Sequence, residues 1–189
     1  MERTELRVSG FGGQGVILAA YVLGKACAVV ENGHATLNQA FGPEARGSAC
    51  SAQLILSSEP ISYPYVRDLD ILVAMSQDAY RLFMNEIRPG GLVLIDEDLV
   101  TPEVDTGHRV LAVPATRFAE NLGKRIVANM VMVGFFAATT DLLDVESVRE
   151  AIRSSVPSGT EELNLAAFDS GLNHDSGMSG RRISEEVPA

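Results

Sequence analysis

The chain is poor in the residues that most catalytic centres require. It has two cysteines, Cys27 and Cys50, in no C-x-x-C pair, and three histidines, His34, His108 and His174, too scattered to complete a Cys/His ligand set. Structural zinc and iron–sulfur clusters held by this chain are thereby excluded. No histidine has a local acid–base partner, so each reads as a structural or solvated side chain. Neither a G-x-x-x-x-G-K-S/T loop nor a G-x-S-x-G elbow occurs, which removes P-loop NTPases and serine hydrolases. Basic residues number 15 against 25 acidic ones, for a net charge of -10, and never more than two stand together. That distribution does not suit a nucleic-acid backbone. The longest apolar run, residues 126–138, carries Asn129 and falls short of the roughly 20 residues needed to span a membrane. Met1-Glu2-Arg3-Thr4-Glu5 lacks the apolar core of a signal peptide, and a soluble cytoplasmic protein is expected.

What is present is a strong strand–turn–helix signal at residues 5–30. Leu6 and Val8 alternate with polar residues, Gly10-Phe11-Gly12-Gly13-Gln14-Gly15 follows, and residues 16–30 are apolar but for Lys25 and Glu31 just beyond. Such a helix suits burial on more than one side, with Cys27 inside it. Gly33 is expected as its left-handed stop. Residues 34–38 and 49–57 read as strands, the second half-buried with Cys50, Ala52, Leu54 and Leu56 on one face. Further strands are predicted at residues 70–75, 92–95 and 109–113, with Pro89-Gly90-Gly91 as a turn. Helices are predicted at residues 77–87 behind Ser76 as N-cap, at 114–122, at 126–139, at 145–154 behind Asp144, and at 161–172. Strands alternating with helices imply an α/β layered fold, a mostly parallel sheet flanked by helices with a Rossmann-like first turn. Residues 1–176 are predicted to form one domain and 177–189 a loose tail.

Gly10, Gly12 and Gly15 match the dinucleotide fingerprint in the right context. The free N–H groups that such a turn leaves at a helix N-terminus favour an anion. A dinucleotide site also needs an acid at the end of the second strand to receive the ribose. Asn38 stands there instead, and Glu31 lies at a helix C-terminus, where negative charge is poorly placed. A free-standing NAD(P)-binding protein is therefore the second reading; a scaffold whose glycines only permit close packing is a third. Asp96-Glu97-Asp98 follows a strand and reads as a solvated turn or a water-mediated metal site. Glu44 and Arg46, between Gly42-Pro43 and Gly47, are an acid and a base in a constrained loop. The arginine there can clamp a carboxylate or phosphate, or pair across an interface.

Three ordered motifs carry a resemblance: Gly10-Phe11-Gly12-Gly13-Gln14-Gly15-Val16, Phe41-Gly42-Pro43-Glu44-Ala45-Arg46-Gly47, and Asp70-Ile71-Leu72-Val73-Ala74-Met75-Ser76-Gln77. Ile61-Ser62-Tyr63-Pro64, Val93-Leu94-Ile95-Asp96-Glu97-Asp98-Leu99 and Asn129-Met130-Val131 extend it. Over residues 5–154 the chain resembles the gamma subunits of 2-oxoacid:ferredoxin oxidoreductases, with motifs most similar to those of 2-oxoglutarate enzymes. Ser48 departs from the second glycine that many relatives carry after Gly47. The resemblance implies a heteromeric cytoplasmic complex that decarboxylates a 2-oxoacid, passes its electrons to ferredoxin and transfers the acyl group to coenzyme A. It implies thiamine diphosphate, Mg2+ and 4Fe–4S clusters on alpha, beta and delta-type partner subunits, and leaves room for self-association of an isolated chain. This sequence has no Gly-Asp-Gly thiamine motif and no cluster-binding cysteines, as a non-catalytic subunit would. Gly10, Gly12, Gly13, Gln14, Gly15, Glu44 and Arg46 are then the candidate residues for contact with coenzyme A or a partner subunit.

Overall fold

The computed structural model describes residues 1–41, 49–103 and 107–175. Six strands, β1 (Thr4–Phe11), β2 (His34–Phe41), β3 (Ala49–Ser57), β4 (Leu69–Ala74), β5 (Ile87–Asp96) and β6 (Arg109–Val113), form one sheet in the order β2-β3-β1-β4-β5-β6. Pairing is parallel from β1 through β4 and β5 to β6, whereas β3 runs antiparallel to both β1 and β2. The layered α/β expectation holds, with a mixed sheet in which parallel pairings predominate. Periodicity alone did not disclose that β2 and β3 form an antiparallel pair laid against β1.

An interior strand of such a sheet is covered on both faces, and β1 shows it. Leu6 and Val8 face one layer and Glu5, Arg7 and Ser9 the other, yet all five are buried. The charged positions are paired rather than solvated. Arg7 Nη2 meets Glu86 Oε2 at 2.6 Å, with its guanidinium 4.1 Å from the centre of the Phe83 ring. Glu5 accepts the backbone N–H groups of Arg67 and Asp68 and pairs with Arg3 at 2.7 Å. The half-buried expectation for β3 fails for the same reason: Ser51, Ile55 and Ser57 are buried along with Ala52 and Leu54.

Helices α1 (Val16–Lys25), α3 (Ala115–Asn121), α4 (Ala128–Thr139), α5 (Val145–Arg153) and α6 (Glu161–Leu172) contribute to the larger core on one face of the sheet. Among the described helices only α2 (Gln77–Phe83) covers the other, where Tyr80 and Phe83 meet Leu72, Val93 and Ile95. The apolar character of α4, broken within its buried length by Asn129, is explained by its place, because α6, α3, α1 and β5 pack around it. Its approach to α6 is so close that a Cβ on Gly134 would stand 1.9 Å from Phe168 O, and one on Gly171 1.9 Å from Val131 O.

Local departures have local causes. After Lys25 the first helix widens into a π-helical turn, Ala26–Val30, and Tyr21 and Val29 remain exposed, so the helix is not enclosed all round. The left-handed residue beyond it is Asn32 (φ 57°), not Gly33; a Cβ on Gly33 would instead stand 2.9 Å from Cys27 Sγ. Both cysteines are buried free thiols whose pKa burial pushes up. Pro89-Gly90-Gly91 is not an independent turn: it lies inside β5, where the register against β4 shifts between Leu69 and Ile71 as at a bulge. Helix α2 stops at Phe83 and a 3₁₀ turn, Met84–Glu86, leads straight into β5.

Candidate functional site

The carboxyl ends of β1, β4, β5 and β6 point to one edge of the sheet, where ligands of open α/β sheets bind. The β1–α1 turn stands at that edge. Gly12 and Gly13 are exposed, and Gly13 has φ 95° with nothing within 4 Å of the place a Cβ would occupy. Gly15 is the N-cap of α1 at φ 74°, and no side chain caps the helix. Gln14 folds back beneath the turn. Its Oε1 accepts from Phe11 N at 2.6 Å, and its Nε2 donates to Met75 O, just past β4, at 2.8 Å. A Cβ on Gly10 would collide with that carboxamide at 2.4 Å from Oε1. From behind, Asn129 on α4 donates to Gly15 O at 3.1 Å.

The neighbouring strand ends explain the other motifs. Met75 N donates to Ser9 O at 2.8 Å, Ser76 caps α2 by accepting from Ala79 N, and Gln77 exchanges two hydrogen bonds with the backbone of Thr101. Asp96 is fully buried and caps α3, accepting from Thr116 Oγ1 at 2.6 Å and Thr116 N at 3.1 Å. Asp98 accepts from Arg117 N at 2.9 Å and pairs with the Arg117 guanidinium at 2.6 Å. The run does form a turn with Glu97 and Asp98 exposed, as one reading expected, but the buried Asp96 and the side chain of Asp98 also cap the start of α3. Burial pushes the Asp96 carboxyl above its ordinary range, against the pull of the Thr116 hydrogen bonds. Among the described residues no group of three or more His, Cys, Asp or Glu side chains is placed to hold a metal ion.

Between these turns lies a cavity of about 260 Å³ lined by Gly13, Gln14, Met75, Thr116, Arg125, Ile126 and Ala128. It is smaller than the roughly 300–1,000 Å³ that encloses a whole cofactor. It suits the end of a ligand or a protruding side chain. The N-terminus of α1, capped by none of the described side chains, opens beside it, and among the described residues Arg125 pairs only at 3.9 Å with Glu120, so the electrostatics favour an anion. Ile126 is 56% exposed at the rim.

Glu44 and Arg46 lie outside the described residues. The strand ends that bracket them do not: Ala49 pairs with Phe11, and Phe41 and Gly10 both pair with Cys50. The backbone register therefore brings the ends of β2 and β3 to the glycine turn. The dinucleotide reading loses its support. β3 separates β2 from β1, putting β2 about 10 Å from β1, two strand spacings rather than the single one at which a ribose-binding acid stands. Asn38 is spent on Pro64 O and Glu31 accepts from Asp144 N at the start of α5. His34 is exposed, while His174 packs edge-on against Phe118 and Phe135. Arg125, Thr116 and the polar bridge made by Asn129 were not singled out from sequence; the lone Asn in an apolar run was the available signal for the last.

Comparison with known proteins follows the same outline. A family described as pyruvate ferredoxin/flavodoxin oxidoreductase matches residues 5–174, extending the resemblance through α6. The 2-oxoglutarate synthase subunit KorC of Methanocaldococcus jannaschii is 48% identical over 174 residues, covering 89% of this chain and 92% of that protein. The solved gamma subunit of a keto/oxoacid ferredoxin oxidoreductase from Geobacter sulfurreducens superposes with a TM-score of 0.82 at 34% identity, over 91% of this chain and 95% of that one. A 2-oxoglutarate:ferredoxin oxidoreductase from Magnetococcus marinus, solved with 2-oxoglutarate, coenzyme A and succinyl-CoA, shares the fold at a TM-score of 0.80 and 24% identity, over 90% of this chain but 30% of that one. There the fold is one part of a longer chain.

Proposed function

We propose that this chain, which belongs to the pyruvate ferredoxin/flavodoxin oxidoreductase family, is the gamma subunit of a 2-oxoglutarate:ferredoxin oxidoreductase. The complex oxidatively decarboxylates 2-oxoglutarate, transfers the succinyl group to coenzyme A, and hands the electrons to ferredoxin. The single observation that carries the reading is the likeness to KorC over 89% of this chain and 92% of that protein, with the motifs at Gly10 and Asp70 holding defined places at one edge of the sheet. Alpha, beta and delta-type partners supply the rest, including thiamine diphosphate, Mg2+ and 4Fe–4S clusters. The described residues of this chain hold no set suited to such clusters, since its only two cysteines are buried far apart in sequence. Among the described residues no helix is long and apolar enough to cross a membrane, which accords with a cytoplasmic complex.

The contribution of this chain lies at the glycine turn. The exposed backbone of the turn, the adjacent cavity and Arg125 receive the phosphate end of coenzyme A where this subunit meets its partners, with Glu44 and Arg46, between β2 and β3 in the sequence, as further candidates. Purifying the complex through a tag on this chain and assaying ferredoxin reduction against a panel of 2-oxoacids tests the assignment. Coenzyme A-dependent reduction with 2-oxoglutarate, exceeding that with pyruvate, is expected; a preparation that prefers pyruvate, or in which this chain purifies alone from its native host, contradicts it.

A further inference from the structure

We propose that Gln14 and Asn129 are positioning residues that hold the glycine turn in its binding shape, an inference resting on the reading that the turn meets coenzyme A. Each is a carboxamide used at both ends. Gln14 accepts from Phe11 N and donates to Met75 O, across the gap between β1 and β4. Asn129 accepts from Met130 N at 2.9 Å and donates to Gly15 O at 3.1 Å, tying the first turn of α4 to the N-cap of α1. A carboxamide carries a strong acceptor and an N–H donor on one small neutral planar group, which is what each place uses. A carboxylate in either place would set an oxygen against a carbonyl.

Asn129 is 3% exposed in a helix that is otherwise apolar along its buried length. Core packing does not call for a polar group there, and burying one is costly unless it is bonded. Its position also dictates its neighbour: a Cβ on Gly15 would stand 2.3 Å from Asn129 Nδ2. The turn is therefore fastened on its inner side by two side chains while its outer side, at Gly12 and Gly13, is exposed. An arrangement fixed in advance spares the ordering cost when a partner arrives, so loosening either fastening weakens binding rather than chemistry.

The test uses the reconstituted complex. Gln14→Glu and Asn129→Ala should each raise KM for coenzyme A about three- to tenfold, the scale of one hydrogen bond, with smaller changes in kcat and in KM for 2-oxoglutarate. The double variant should fall short of the product of the two, because both act on one turn. Asn164→Ala is the control. It removes another buried carboxamide, bonded to Thr160 O at the far end of the α4–α6 pair, and should lower stability without moving that KM. If Gly13→Asp raises KM for coenzyme A while Gln14→Glu and Asn129→Ala do not, the positioning role is overturned and the binding reading stands. If none of the three moves it, both fall. Where a variant does not enter the complex, amide exchange in the isolated full chain decides. Exchange about tenfold faster at Gln14 and Ala19, whose N–H groups bond Phe11 O and Gly15 O, supports the role; unchanged rates overturn it.

Discussion

Glycine does opposite things in two regions of this chain. Between α4 and α6, Gly134 and Gly171 let two backbones touch, and the space freed by the missing side chains is filled by Phe168 O and Val131 O of the same molecule. In the β1–α1 turn, Gly13 faces open space and Gly15 is backed by Asn129, so the chain closes the inner side and leaves the outer one unfilled. The first pair completes a core. The second leaves a surface that another molecule can approach. A glycine pattern in the sequence does not distinguish these cases; what fills the vacated volume does.

Substitutions should separate them by size of effect. Gly134→Ala or Gly171→Ala puts a methyl against backbone that cannot swing away, and should cost about 3 kcal/mol or more by overpacking. Chemical denaturation of the isolated chain measures it, and a loss of only a few tenths would show that α4 and α6 can part. Gly15→Ala combines the left-handed φ with the Asn129 contact and should cost about 2 kcal/mol. Adding Asn129→Ala should recover part of that loss, because the contact goes while the backbone strain stays. Ser76→Ala, which only uncaps α2, should cost about 1 kcal/mol in the same assay.

These contrasts also show what could be read before the fold was known. The strand at residues 109–113 and the helix at 161–172 kept their predicted bounds, and Ser76 and Asp144 cap as expected, because periodicity and capping are written in adjacent residues. Asp144 Oδ1 accepts from both Glu146 N and Ser147 N. The strand–turn–helix at Gly10 to Gly15 was legible for the same reason. What was not legible depends on distant partners. The bulge at Pro89-Gly90-Gly91 follows from pairing with β4, and the buried polar face of β1 from the α2 layer packed against it. The fastening at Gly15 joins positions 114 apart in sequence, so no local pattern announces it. The role of the acidic run at Asp96 was missed likewise, since its partner Thr116 lies 20 positions away.

A weaker contrast concerns acid. Burial raises the pKa of Glu5, but the Arg67 and Asp68 amides and the Arg3 guanidinium outweigh it, leaving the carboxyl below its ordinary 4.5. Its folded-state pKa is depressed, so its contribution is present above the unfolded value and lost as pH falls through the folded one. Asp96 has the opposite sign: raised by burial, it contributes below its unfolded 3.8 and that contribution fades as pH rises through its folded value. Glu5→Gln should therefore flatten the loss of stability on acidification below about pH 4.5 in equilibrium unfolding, while leaving the glycine turn untouched.

The outward-facing turn decides the account. Gly13→Asp adds strain at a positive φ, costing about 1 kcal/mol of stability, but sets a carboxylate where coenzyme A phosphate is proposed to lie. Steady-state ferredoxin reduction by complex carrying this variant, titrated with coenzyme A, is the direct measurement. A complex that assembles and shows a KM for coenzyme A raised at least about tenfold, the weight of one repulsive charge contact, is predicted. An assembled complex with parental KM and kcat would contradict it.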